Sequence, residues 1–210
     1  MVEKERSASN LDLIGGRLCL DFVNTISTRM ETGREYLTSY AELAAWSEHA
    51  GALAEDEAEA LRNHAASHPN LAAGTLERAI LFRETVYRIF SAIADGGEPG
   101  RADLAALNEA LRPALSRLEV NSTGDGFAWR WTLDGNDLDG MLWPLARSAA
   151  DLLTSEDLKR VRQCARDGCD WLFVDTSKNH SRRWCSMDLC GSRVKAKRYY
   201  QRKRKGAAKV

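Results

Sequence analysis

The chain has no acidic residue after Asp188, although its 210 residues include 30 Asp and Glu and 30 Lys and Arg. From Lys159 onward it carries sixteen Lys and Arg against four Asp, a formal charge of +12, and the preceding residues carry −12. Such asymmetry between two parts of a chain predicts an anionic partner for the basic part.

Other features are also scarce, and each absence argues against a class of protein. No apolar run approaches the length of a membrane-spanning helix, so we expect no membrane partner. Residues 1–16 contain no apolar run of signal-peptide length, so we expect a cytoplasmic protein without disulfides. The sequence shows no nucleophile elbow, P-loop or dinucleotide motif, and His180 lacks a second metal ligand for nuclease chemistry. We therefore predict no catalytic residues.

Four of the five cysteines lie in two pairs of equal spacing. Four residues separate Cys164 from Cys169, four separate Cys185 from Cys190, and fifteen lie between the pairs. Each pair can occupy one edge of a tetrahedral ion, so the spacing favours a structural Zn²⁺ with four thiolate ligands. An iron–sulfur centre and redox-active thiols remain open alternatives. A closed four-thiolate site has no position for water and therefore indicates a role in folding.

The sequence around these cysteines predicts a treble-clef-like order. Residues 171–175 are aromatic and β-branched, and with residues 182–184 they predict a β-hairpin between the two pairs. Residues 192–205 contain neither Gly nor Pro, which predicts a helix that begins just after the last cysteine. Gly168 and Gly191 flank ligands, where glycine allows the chain to turn tightly around a metal.

Residues 164–204, with RRWCSMDLCGSR at their centre, resemble the CGNR zinc-finger family of bacterial regulators. The tetrad after which the family is named is present at 190–193 as CGSR, with serine in place of asparagine. Residues 16–25, GRLCLDFVNT, resemble the opening of the ABATE domain that precedes this finger. The family is described as stress-induced transcription regulators, so the resemblance implies DNA binding.

The helix predicted after the last cysteine is strongly basic, and cations four residues apart on it repel one another. Its charge exceeds the two units that a zinc–thiolate centre would balance, so we predict that it binds the phosphates of DNA. The candidate DNA contacts are Arg182, Arg183, Arg193, Lys195, Lys197, Arg198 and Arg202. One finger makes few contacts, so we expect a homodimer on two half-sites. A solvated tail is the plainer interpretation, and a zinc-stapled RNA-binding or protein-interaction module is the alternative function.

Apolar periodicity predicts a mainly helical N-terminal part. The predicted helices span residues 39–49, 55–67, 75–94, 101–112, 141–153 and 156–163. Between residues 115 and 133 the period changes to two, which predicts a hairpin whose aromatic face covers the helical core, with a ligand-stacking surface as the alternative. The predicted fold class is mainly α with a small β-hairpin, an α+β N-terminal domain, plus a C-terminal treble-clef-like zinc finger. We expect domains at 11–154 and 155–205, docked together because no long Gly/Ser linker separates them.

Three polar residues of the N-terminal part lie within or beside apolar segments: Asp21, Asn24 and Arg83. Caps, buried hydrogen bonds and salt bridges are the interpretation that we favour for them. The alternative is a ligand pocket for a small-molecule effector. The N-terminal domain would then supply dimerisation or effector sensing.

Overall fold

The computed structural model describes residues 6–133 and 137–207, and the side chains of residues 202 and 204–207 are outside that description. The elements along the described residues are α1 (Leu18–Val23), α2 (Tyr40–His49), α3 (Glu55–Ser67), α4 (Pro69–Ala94), α5 (Arg101–Ser116), β1 (Leu118–Thr123), β2 (Gly126–Trp131), α6 (Leu142–Leu153), β3 (Val161–Gln163), β4 (Leu172–Val174) and α7 (Ser192–Ala207). Two antiparallel strand pairs accompany the helices, which confirms the predicted fold class.

Helix α4 is the centre of the core and packs against α1, α2, α3, α5 and β3. Its buried stripe includes Ala79, Val86 and Phe90, as the periodicity predicts. The helix begins at Pro69, six residues before the predicted start. Proline is well suited to the first helical position because the N–H that it lacks would have no partner there.

Helix α5 continues through Pro113 to Ser116, so the predicted end at residue 112 is wrong. The proline lies in the last turn, where it removes a single backbone hydrogen bond. Tertiary contacts stabilise that turn, since Ala114 is buried and its carbonyl accepts a hydrogen bond from Trp131 Nε1 at 2.9 Å.

Strands β1 and β2 form the predicted hairpin, with Val120 opposite Trp129 and Ser122 opposite Phe127. The prediction that its aromatic face covers the core is wrong. Val120 and Trp129 are each 56% exposed and Phe127 is 79% exposed. Helices α5 and α6 pack directly against each other, and the hairpin presents Val120, Phe127 and Trp129 to solvent.

Strands β3 and β4 pair with each other, Val161 opposite Val174, so the first cysteine pair lies in the connection between them. The predicted hairpin between the cysteine pairs is therefore wrong, and residues 176–184 are irregular. The helix predicted at 156–163 is shorter: a 3-10 helix ends at Arg160. The β-branched Val161 then begins the strand.

Strand β4 joins the two parts of the molecule. Leu172 and Val174 belong to the main hydrophobic core, whereas Trp171 and Phe173 pack around the cysteines. This division follows from the pleat, which turns successive side chains to opposite faces. Trp171 Nε1 also donates to the carbonyl of Ile26 at 2.7 Å. The C-terminal part is thus docked against the first, as the short connection predicts.

Candidate metal centre and nucleic-acid interface

The side chains of Cys164, Cys169, Cys185 and Cys190 are buried and meet in one cluster, with all four Sγ atoms within 4.8 Å of one another. Cys169 Sγ lies 3.9 Å from Cys185 Sγ and 3.8 Å from Cys190 Sγ. A tetrahedral Zn²⁺ with Zn–S bonds of about 2.3 Å needs sulfurs about 3.8 Å apart. The cluster therefore fits zinc, and all four thiols are free of disulfides.

Four thiols at these separations cannot all ionise without a cation. Hydrogen bonds from the Cys169 and Cys185 thiols lower the pKa of Cys164 to about 2. The same interaction with Cys164 raises the pKa of Cys169 to about 12 and also raises the pKa of Cys185. A bound divalent cation supplies the positive charge that allows all four to bind as thiolates.

The two glycines beside the cysteines act differently. Gly168 has φ +73°, a left-handed conformation that glycine adopts without strain, as predicted for a tight turn. Gly191 does not have a positive φ. A Cβ at position 191 would lie 2.4 Å from Sδ of the exposed Met187, so a larger residue there would require the Met187 side chain to shift.

The metal cluster is connected directly to α7. Cys190 lies in the single π-helical turn Met187–Gly191, and α7 begins at the next residue. The Ser186 side chain accepts a hydrogen bond from Leu189 N and caps that turn. Arg166 Nε donates to Cys190 Sγ at 3.0 Å, which orients this sulfur from outside the cluster.

Helix α7 is exposed along its length: of its described side chains only Val194 is half-buried. It packs mainly against the turn Met187–Gly191. Arg193 and Lys197, four residues apart, share one side of the helix, and Lys197 Nζ lies 3.2 Å from an Asp167 carboxylate oxygen.

A second stripe of the helix holds Lys195, Arg198 and the position of Arg202, by the same periodicity. The side chain of Arg202 lies outside the described part of the chain.

Two family models match the chain in succession. The family described as "ABATE: Putative stress-induced transcription regulator" matches residues 16–156, and the CGNR zinc finger matches residues 160–203. The chain belongs to the ABATE family. No curated protein matches it. The matches agree with the resemblance seen in the sequence, and with the cysteine cluster they identify a zinc-dependent regulator whose Zn²⁺ is structural.

The CGNR finger uses Arg182 internally. Its guanidinium donates to the carbonyls of Trp184 at 3.1 Å, Ile14 at 3.3 Å and Cys185, and it lies 4.2 Å from the centre of the Phe173 ring. These contacts give Arg182 a role in holding the finger together. These bonds involve Nε and Nη2 of Arg182, and its assignment as a phosphate contact stays a prediction. Arg183, by contrast, is exposed.

The three polar residues of the ABATE region each have partners within the chain. Asp21 accepts a hydrogen bond from Gly15 N at 2.7 Å, and burial raises its pKa to about 6. Arg83 is 2% exposed and donates to Glu35 at 2.7 Å and to Glu84 at 2.9 Å.

Asn24 pairs with the backbone of β4 in the finger. These contacts are the caps, buried hydrogen bonds and salt bridges that the sequence favours. The ligand pocket at these residues stays a prediction.

An ionic network across the junction of the ABATE region and the finger was not predicted. Arg29 Nε donates to Glu84 at 2.7 Å, its guanidinium lies 3.7 Å from the centre of the Tyr87 ring, and its NH1 lies 3.6 Å from Asp170. Arg29 and Asp170 are 141 positions apart, so no local pattern marks them as partners.

None of the helices in the described part of the chain combines the length and the apolar character that a membrane-spanning segment requires.

Proposed function

We propose that the protein is a zinc-stabilised DNA-binding transcription regulator, in which Cys164, Cys169, Cys185 and Cys190 hold the Zn²⁺ and α7 binds DNA. One observation supports this most strongly: an exposed basic helix begins directly at the cysteine cluster. A flexible tail in solvent would not need a metal centre at the residue where it begins. The metal gives the helix a defined direction from the body, and a single helix fits the major groove.

The proposed DNA contacts are Arg182, Arg183, Arg193, Lys195, Lys197, Arg198 and Arg202. Phosphate contacts by lysines and arginines position the helix and supply affinity that falls as salt rises. Arginine is the side chain best suited to reading guanine, because it meets O6 and N7 with two donors. Arg193 lies in the first turn of α7, and Arg198 lies five residues farther along the helix.

We assign DNA binding to residues 155–205, and dimerisation and effector sensing to residues 11–154 of a cytoplasmic homodimer. The exposed face of the hairpin, formed by Val120, Phe127 and Trp129, supports the dimer. A flat apolar face can pack against its own copy around a two-fold axis, with the same patch used twice. Two fingers held in this way would bind two half-sites.

Selection of bound sequences from random duplexes tests the proposal, performed with the zinc-loaded protein and with chelated protein. We expect a shared sequence motif with zinc and none after chelation. With the selected duplex, Arg198→Ala should weaken binding at least about fivefold, since a base contact of arginine contributes about 1–3 kcal/mol. Arg101→Ala, an exposed arginine on α5, is the control of equal charge and should bind like the parent. Unchanged affinity in both Arg193→Ala and Arg198→Ala would refute the assignment of α7.

The alternative is a zinc-stapled RNA-binding or protein-interaction module, because a basic helix also fits an RNA backbone. Competition between duplex DNA and structured RNA at two salt concentrations separates the two functions. A DNA regulator retains its sequence preference as salt rises, whereas binding through phosphates alone is lost for both competitors.

A further inference from the structure

A cleft of about 520 Å³ lies between the ABATE region and the metal cluster, and four arginines line it. Arg6 and Arg34 come from the N-terminal side, and Arg166 and Arg193 come from the finger. This volume is within the range of about 300–1,000 Å³ typical of small-molecule sites. The four residues lie far apart in the chain, so the sequence does not mark them as a group.

Among the described residues, the arginines are the charged residues that line the cleft. Its lining residues include no Asp or Glu among the described part of the chain, although Cys169, Cys185 and Cys190 contribute to the wall. A Zn²⁺ with four thiolates carries about −2, so the four guanidinium groups supply more positive charge than the metal centre alone neutralises. Arg6 also pairs with Asp12 at 2.9 Å, but this pair is exposed and therefore screened by water.

The rest of the cleft wall contains aromatic rings and hydroxyl groups. Tyr36 and Trp171 are buried beneath the cleft, and the Arg34 guanidinium lies 5.5 Å from the centre of the Tyr36 ring. Ser27 Oγ accepts a hydrogen bond from Arg34 N at 2.7 Å, which leaves its own hydroxyl hydrogen to donate. Arg166 is oriented by its bond to Cys190 Sγ. The cleft therefore combines several donors with a rigid floor.

We propose that this cleft binds a small phosphate-bearing anion and that the bound anion weakens DNA binding by engaging Arg193. Guanidinium groups bind phosphate oxygens with two parallel hydrogen bonds, and arginines converge here from two sides. A concave site of this kind suits a compact anion. The backbone of a DNA duplex is convex, and in the proposed complex it contacts the outer face of α7.

The effect on DNA rests on the proposed function, since Arg193 is also a proposed DNA contact. Anion and DNA would each weaken the other's affinity by the same factor, because coupling between two sites is reciprocal.

The anion half of the proposal is tested on the full-length, zinc-loaded protein by titration calorimetry with inorganic pyrophosphate at constant ionic strength. We expect saturable binding of one pyrophosphate per chain. Arg34→Gln should weaken pyrophosphate binding at least tenfold, because Arg34 lines the cleft. Arg34 lies outside α7, so this substitution leaves the basic residues of that helix unchanged. Arg101→Gln, with the same loss of charge on α5, should bind like the parent. Absence of saturable binding, or equal binding by Arg34→Gln and the parent, would overturn the proposal.

The DNA half is tested by fluorescence anisotropy with the selected duplex. We expect pyrophosphate to weaken DNA binding by the parent, and Arg34→Gln without pyrophosphate to bind DNA like the parent. If Arg34→Gln itself loses DNA affinity by the factor that pyrophosphate causes, the cleft holds a backbone phosphate of DNA and the small-anion proposal is wrong. If the parent binds pyrophosphate through Arg34 but binds no duplex, the proposed function fails and the anion site stands.

Discussion

The side-chain amide of Asn24 hydrogen-bonds to both backbone groups of Leu172: Nδ2 donates to the carbonyl at 2.8 Å, and Leu172 N donates to Oδ1 at 3.0 Å. Asn24 is 2% exposed and follows α1, whereas Leu172 begins β4. The amide thus takes the place of a neighbouring strand on the open edge of β4. This pair joins the ABATE region to the finger through buried backbone groups that have no access to water.

Replacing Asn24 by alanine should destabilise the protein by about 3 kcal/mol, because two buried backbone groups of Leu172 lose their partners. The measurement is urea denaturation of the zinc-loaded protein. Asn63→Ala, at an exposed position of α3, is the control and should change stability by no more than about 0.5 kcal/mol. Equal stability of the two variants would show that the pair is not needed for docking.

The carboxyl group of Asp21 makes stability depend on pH. Burial raises its pKa from 3.8 to about 6 in the folded protein, so the folded state binds the proton more tightly than the unfolded state. This stabilisation is fully present below pH 3.8 and is lost as pH rises through 6. Through this group, the free energy of unfolding below pH 3.8 exceeds that at neutral pH by at most about 3 kcal/mol.

Asp21→Asn retains the acceptor for Gly15 N but cannot ionise. The variant should therefore become more stable relative to the parent between pH 4 and pH 7, as followed by urea denaturation at each pH. Asp125→Asn, in the exposed turn of the β1–β2 hairpin, should show no such trend. A constant difference between Asp21→Asn and the parent at all pH values would contradict the assigned shift.

Removal of zinc should unfold more than the finger. Leu172 and Val174 belong to the main core, and Cys164 and Cys169 lie in the connection between β3 and β4. Loss of the metal therefore loosens a strand that the ABATE region packs against. We expect one zinc per chain by atomic absorption, and a Tm of the whole chain that falls by at least about 10 °C after chelation, in a single transition.

Cys185→Ser should lower the zinc content, whereas Cys19→Ala should retain one zinc, because Cys19 is buried in the main core away from the cluster. A chelated protein with the Tm of the parent would contradict the structural role of the metal.

The exposed hairpin face should control self-association. Sedimentation velocity of the parent is expected to give a dimer, and the double variant Phe127→Ser with Trp129→Ser a monomer, since the two side chains are 79% and 56% exposed and supply the apolar contact. Arg130→Ser, on the opposite face of the same strand, should remain dimeric. Circular dichroism would verify that all variants keep their helices. A dimeric double variant would place the interface elsewhere.

Short-range sequence patterns were sufficient to predict much of the helical fold. The helix at Glu55–Ser67 was predicted with its observed bounds, and α2 ends at His49 before Gly51, which has φ +72°. These elements are marked by caps, stops and an apolar stripe within ten to twenty residues. The predicted bounds are wrong at two prolines: α4 begins at Pro69, before residue 75, and α5 continues through Pro113, past residue 112. The position of a proline within a helix decides whether it is tolerated.

The sequence by itself determined that four cysteines in matched pairs would meet beside a basic helix, because ligand spacing and charge are local properties of the chain. Only the tertiary structure decided that β4 pairs with β3, that Arg182 binds carbonyls inside the finger, and that Arg6 and Arg34 face Arg166 and Arg193 across a cleft. The physical reason is distance along the chain. Whether a donor finds an acceptor or a strand finds its neighbour depends on groups that are distant in sequence, and folding alone brings them together.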